Sequence, residues 1–405
     1  MGSHHPQPES PRLRRLAVAV VVPIAVLTLV ALVALWPSGG VPVPEGPASQ
    51  AQTTGDVVAV QRGECPEPLP EQQAPQVNGC GTAEVRLTEG ADAGGTVTTT
   101  LPNRPGAPRV DEGDHVVLIR SPVDATYSIV DHQRASGLWV LVVAFVLALV
   151  AFGRWRGVSA LVGLAVTFAL LVLFVVPAVL AGEPPVLVAV VASAAIILAV
   201  LYLTHGFSLA TTVAVLGTLS SLALTGVLSA VAVSGLRLTG ITDDLSTALG
   251  VDHPVNMEGL LVAGIVIGSL GVLDDVTVTQ AATVTELARA NPAYGAAQLY
   301  RAGGRVGRAH IASVVNTIVL AYAGSSLPLL VLIVANVDSL GGVVTDQVIA
   351  QEIVRSVVAT LGLVAAVPLT TGLAALVFAG RGAPSSAEDV RAHATDPGRP
   401  GSPGA

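Results

Sequence analysis

Charge is scarce in this sequence. Only 12% of its 405 residues are Asp, Glu, Lys or Arg, about half of what a soluble domain uses to cover its surface. Lysine is absent altogether, so all the positive charge is arginine. Aromatic residues make up 3% and cysteine occurs twice, which excludes a disulfide-dense secreted scaffold. With a net charge of −8 and no basic run interleaved with aromatics, a nucleic-acid-binding surface is excluded too. Missing as well are HExxH, a Walker loop, GxSxG and CxxC, so the common metalloprotease, nucleotide, hydrolase and thiol-redox signatures are not present. We expect no enzyme, no cofactor and no metal site, and an intramembrane enzyme is only a third reading.

What is present is apolar length. Hydrophobic residues make up 52% of the chain and the mean hydropathy is +0.70. They fall in blocks near the roughly 20 residues that a helix needs to cross about 30 Å of hydrocarbon. The blocks predict spans at 16–36, 138–153, 158–181, 186–204, 208–234, 257–280, 311–335 and 353–380. The expected fold is mainly α, a polytopic transmembrane bundle of about eight helices with a small extracytoplasmic β-rich domain. Its parts are a tail over 1–15, a first span over 16–36, the β-rich domain over 37–137, seven helices within 138–380 and a disordered tail over 381–405. The bilayer is the first partner implied; a homo-oligomer is compatible with the sequence.

Residues 37–137 break the pattern. Pro, Gly, Thr and acidic residues separate short alternating runs at Asp56–Gln61, Ala83–Thr88, Thr96–Leu101, His115–Arg120 and Thr126–Val130, the signature of about five short antiparallel strands in a barrel or sandwich. Cys65 and Cys80 both lie here. If the segment is outside the cell they can close a disulfide; the alternative is two free thiols.

Arginine sets the expected topology, because cytoplasmic loops carry the excess of basic residues. Arg12, Arg14 and Arg15 place the N-terminus inside and residues 37–137 outside a plasma membrane. Arg154, Arg156, Arg289, Arg301, Arg305, Arg308 and Arg381 then fall inside, with the Gly303–Arg308 stretch read as a loop. Eight spans bring both termini to the cytoplasm.

The stretch Met257–Leu287 reads MEGLLVAGIVIGSLGVLDDVTVTQAATVTEL. Gly264 and Gly268 form a GxxxG step, with Gly271 one turn on, which would let another helix approach closely. On a helix, Asp275, Thr279, Ala282 and Glu286 line up in one stripe, while Asp274 points about 100° away. An ionised Asp in mid-bilayer costs about 2.5–3.5 kcal/mol, so acids at depth mark partners or water. The alternative is a span that ends at Leu273 with the pair at the membrane surface; Asp at a helix C-terminus opposes the macrodipole, which favours continuation.

A second unit, His310–Asn336, reads HIASVVNTIVLAYAGSSLPLLVLIVAN. Asn316 and Thr317 interrupt the apolar run, and Ser325, Ser326 and Pro328 would break it, as in the discontinuous helices that line transporter sites; a plain proline kink is the alternative. Val367–Thr371, with Pro368, repeats the theme. His4 and His5 belong to the polar start, and His205, His253 and His310 read as turn or cap residues.

The runs GVLDDVTVTQAATVTEL, HIASVVNTIVLAYAGSSLPLL and SVVATLGLVAAVPLTTGLAAL, with YSIVDHQR before the second span, resemble the YibE/F-like family of multipass membrane proteins in its actinobacterial form. The likeness covers roughly 50–380 and implies a plasma-membrane protein with an extracytoplasmic domain. It implies no reaction and supplies no catalytic residue. The expected function is a transporter or channel-like protein for an unknown small solute or ion, with a polar site formed by Asp274, Asp275, Thr279, Gln280, Glu286, Asn316, Ser325, Ser326 and Pro328. The rival is a non-transporting assembly or sensor component whose extracytoplasmic domain binds a partner.

Overall fold

A computed structural model of the chain describes residues 11–37, 52–63, 65, 77–90, 92–104, 106–121, 124–242, 244–336 and 346–379. The segments 1–10 and 380–405, which hold most of both expected tails, lie outside the described residues, as does 337–345. The chain divides into two compact units, Val43–Gly157, and Met1–Pro42 with Val158–Ala405.

The first unit contains the five strands β1 (Gln52–Gly63), β2 (Cys80–Leu87), β3 (Thr96–Thr100), β4 (His115–Arg120) and β5 (Tyr127–His132). They form one antiparallel sheet in the order β3-β2-β1-β4-β5. Alternation selects the face: Val57, Ala83, Val85, Leu87, Val116, Leu118 and Ile129 are buried together with Val110. The sheet curls because register shifts occur in both β1 and β4. At Gly55 a side chain would lie 2.6 Å from Val85 Cγ1, so only glycine lets the curled strands come this close. The curl brings the two edges together, where the Thr99 hydroxyl donates to the Tyr127 carbonyl at 2.6 Å. Buried Asn78 clips the loops, donating to the Pro102 and Pro108 carbonyls and accepting from the Val110 N–H. A disulfide joins Cys65 to Cys80, with the Cα atoms 4.9 Å apart.

The helices are α1 (Pro11–Ala34), α2 (Ala135–Leu170), α3 (Val176–Leu180), α4 (Pro185–His205), α5 (Leu209–Gly235), α6 (Asp244–Asp252), α7 (Met257–Ala290), α8 (Ala296–Ser325), α9 (Leu327–Asn336) and α10 (Gln347–Phe378). A π-turn, Leu171–Val175, joins α2 to α3. Among the described residues seven helices are long and apolar enough to cross a bilayer. The run Ala135–Leu180, at 46 residues, holds two such lengths. It breaks at Arg154, whose φ of 51° and ψ of −128° are not helical, and a side chain on Gly157 would collide with the Leu149 carbonyl. Residues eight apart in an unbroken helix are about 12 Å apart, so the chain turns sharply here. The eight expected spans are all present as helix.

In the helical unit α5, α7 and α10 pack on one another, with α4 against α7. Their ends are set by local chemistry. Ser208 caps α5 by accepting from the Thr211 N–H, Asn256 caps α7 through Gly259 and Asp346 caps α10 through Val348; α4 stops at Gly206, φ 73°. The crossings rest on glycine: Gly217 of α5 lies directly on Thr370 of α10, and Gly362 of α10 on Thr225 of α5. Such close backbone approach replaces the hydrophobic drive that lipid cannot supply.

Two expectations need correction. The Gly303–Arg308 stretch is helix, because α8 begins at Ala296, well before 311; its glycines are packing positions, Gly303 against Val284 and Gly307 against Val367. Among the described residues the Gly264, Gly268 and Gly271 stripe receives no helix backbone: Gly264 and Gly271 have no neighbour there, and the Tyr322 hydroxyl alone nears Gly268.

Candidate functional site

Helix α7 runs unbroken through the Asp pair to Ala290, so the chain does not leave the helix at Leu273. The two carboxylates diverge as 100° of rotation requires. Asp275, Thr279 and Glu286 lie on the exposed face, with Gly264, Gly268, Gly271 and Ala282. Asp274 is half-buried, and its Oδ1 is fully enclosed without a hydrogen-bond partner among the described residues. The inward member of the pair is therefore Asp274, and the stripe that runs through Asp275 to Glu286 faces outward, where Glu286 pairs with Arg289 at 2.6 Å.

One turn beyond Asp274, the Thr277 hydroxyl lies 3.1 Å from the Asp274 carbonyl and donates to the Thr218 hydroxyl of α5 at 2.6 Å. Thr218 begins a buried row on α5 with Ser221, Thr225 and Ser229. Each hydroxyl donates to the carbonyl four residues back, at 2.7–2.9 Å. These bonds satisfy each proton locally and leave the oxygen free to accept. The spacing of three, four and four residues keeps the row on one face for about 16 Å.

Gln280 holds a second junction. Buried among three helices, it donates to the Gly303 carbonyl of α8 at 2.9 Å and to Thr371 Oγ1 of α10 at 2.7 Å. It points about 120° from Asp274 around α7, so the two do not share a face.

The break after α8 is one residue wide. Ser325 donates to the Tyr322 carbonyl, and the Leu330 N–H still reaches Ser326 at 2.9 Å, so hydrogen bonding resumes at once across a local kink. Ser325, Pro328 and Asn316 are exposed, and no hydrogen bond among the described residues joins Asn316 to the Asp pair. Ser326 is half-buried and donates to Glu352 Oε2 of α10 at 3.2 Å; Glu352 Oε1 accepts from Arg355 at 2.7 Å. Of the expected site, then, Asp274, Gln280 and Ser326 turn inward, to three separate places.

Three features of this interior were not anticipated: the α5 hydroxyl row, the Gly303–Gly307 seat for Gln280, and the Glu352–Arg355 pair. Each carried a periodic signal, at three or four residues, inside stretches otherwise read as plain apolar span or loop.

A half-buried acid, a hydroxyl row and glycine-seated crossings in a bundle of membrane-length helices, in a chain that also holds a small β unit, define a polytopic helical membrane protein. The family model of YibE/F-like proteins matches residues 141–380, more than half of the chain, and the protein belongs to that family. No curated protein and no solved structure is significantly similar to it.

Proposed function

We propose that the protein is a permease or channel-like protein for a small cation or solute, with Asp274 as the group that meets it. The observation that carries this reading is the enclosed Oδ1 of Asp274, without a hydrogen-bond partner among the described residues, one turn before the Thr218–Thr277 contact. Deep in a span, an acceptor of that kind persists where a proton, an ion or a solute satisfies it in some state. The α5 hydroxyls extend the same polar interior. In the proposed topology both termini are cytoplasmic and the β unit is outside a plasma membrane, which the arginine bias and the disulfide support. An impermeant maleimide should label Cys65 and Cys80 in intact cells only after an impermeant reductant.

The function is tested by flux into proteoliposomes under imposed pH and cation gradients. Wild type should pass a solute that Asp274→Asn does not, with Asp275→Asn close to wild type. Equal flux in wild type and Asp274→Asn for every solute that moves would end the proposal.

A second reading, an assembly or sensor component, is favoured by a different observation. Two clefts of the helical unit lie along the α8–α10 seam and neither is lined by Asp274, while α1 and the second half of α8 are exposed and apolar along most of their length. Co-purification of a stoichiometric partner that is lost when the β unit is deleted, without flux in any gradient, would decide for it.

A further inference from the structure

The larger of those clefts, about 620 Å³, lies between α8 and α10 and has a charged wall and an apolar one. The charged wall is Arg301, Arg305 and Arg308, one face of α8 at steps of four and three residues. All three are exposed, and none forms an ion pair among the described residues. Gly304 leaves the floor open between them, and the Arg308 guanidinium folds back over it, 3.9 Å from where a side chain would start. The apolar wall is Ile311 of α8 with Val364 and Val367 of α10.

Depth gives this arrangement its meaning. The apolar run of α8 and α9 starts at Ile311, so Ile311 marks the hydrocarbon border. At 1.5 Å per residue, Arg308 and Arg305 lie about 4.5 and 9 Å beyond it. A headgroup layer is roughly 5–8 Å thick, the difference between a hydrocarbon core of about 30 Å and a bilayer of 40–45 Å shared by two faces. The two arginines bracket the outer, water-facing edge of that layer, and Arg301 reaches it from the water side. Arginine forks match phosphate oxygens, and basic pockets between membrane helices at this level take acidic headgroups.

We propose that the α8–α10 cleft is a binding site for the phosphate group of an anionic membrane lipid, with Arg301, Arg305 and Arg308 on the phosphate and Ile311, Val364 and Val367 along the first carbons of an acyl chain. A free phosphate would use the same arginines but gain nothing from the apolar wall. The site is independent of Asp274 and of which side of the membrane α8 begins on.

The test is titration of the purified full chain in neutral detergent with phosphatidylglycerol, phosphatidylcholine or inorganic phosphate, read by intact-complex mass and by the thermal midpoint. Phosphatidylglycerol should bind and raise the midpoint; phosphatidylcholine should not. The variant with Arg301→Gln, Arg305→Gln and Arg308→Gln should bind about 100-fold more weakly, about fivefold for each arginine. Gly304→Leu, which keeps every charge and fills the floor, should weaken binding as well, and serves if the triple variant does not fold. Arg289→Gln, paired with Glu286 elsewhere, should bind as wild type. Unchanged binding in both the triple variant and Gly304→Leu, or equal binding of phosphatidylcholine, would overturn the site. Equal potency of inorganic phosphate would overturn the lipid assignment.

Discussion

The β unit and the helical unit differ in what fills the places where their elements meet. In the β unit the contact residues are Val57, Val85, Val116, Leu118 and Ile129, side chains of ordinary core size, with ion pairs such as Arg62–Asp111 and Arg134–Asp131 on the surface. In the helical unit the tightest helix-to-helix approaches are made by Gly217, Gly303, Gly307 and Gly362 against Thr370, Val284, Val367 and Thr225 respectively, and hydroxyls lie at the centre. An element that folds in water gains stability from removing apolar surface from water. A helix already in lipid gains almost nothing that way, so its neighbours must be won by close packing and interhelical hydrogen bonds. The two compositions are two answers to two solvents.

The sharpest way to break this comparison is to exchange the kinds of defect. Leu118→Ala in the β unit should cost about 2–5 kcal/mol, since Leu118 is fully buried in an apolar core. Protease sensitivity of the β unit in the purified chain would report it, with the helical unit intact. Removing the Cys65–Cys80 bridge by double alanine substitution should cost about 3 kcal/mol by loop entropy, for a sequence separation of 15. It too should appear only in the β unit.

In the helical unit adding an atom, not removing one, should do the damage. Gly217→Ala places a methyl group on Thr370 and should cost about 1–3 kcal/mol, read as loss of resistance to SDS unfolding. Thr370→Ala in the same chain should recover part of that loss. Deleting the hydroxyl in Thr277→Val should cost only about 0.6 kcal/mol, the usual scale for an interhelical bond in a membrane protein.

Acid provides the smallest and most selective effect. Hydrogen bonds from Arg62 to Asp111, from Ser121 to Asp124 and from Arg134 to Asp131 hold these carboxyls below their ordinary value of 3.8. A carboxyl whose pKa is lower in the folded state contributes stability that is complete above its unfolded pKa and lost as pH falls through the folded one. The β unit should therefore lose stability only below about pH 4, and less steeply in high salt, because all three groups are exposed. Arg62→Gln should flatten the slope; an unchanged acid profile would remove Arg62 from the account.

Much of the architecture was legible in the sequence because it is periodic. Eight apolar blocks gave eight helical stretches, and five alternating runs gave five strands, most within two or three residues, since burial on one face imposes a period of two. Cys65 and Cys80 were bridged as their shared segment suggested. What was harder to read is rotation and depth. The sequence places Asp274 and Asp275 100° apart but does not say which side meets a neighbour; contacts with α4, α5 and α10 decide that, and they leave Asp275 outward. Gly303–Arg308 looked like a loop because two adjacent glycines and two arginines suit one, yet Gly303 and Gly307 are the seat for Gln280 and the arginines lie away from it. Ser326 was a reasonable site residue, but its partner Glu352 lies 26 positions on, beyond any local pattern.

The proposed function requires that Asp274 border a polar path and that Asp275 face away from it. Cysteines introduced singly as Asp274→Cys, Asp275→Cys and Leu376→Cys are read cleanly, because both native cysteines are bridged. Reaction with a small, positively charged, water-soluble thiol reagent, followed by mass in proteoliposomes, measures where water and cations reach. Modification is expected at position 274 from at least one side, slowed by high concentrations of whichever cation or solute moves in the flux experiment, and little at 275 or 376. Absence of modification at 274 from both sides, or faster modification at 275, would contradict it.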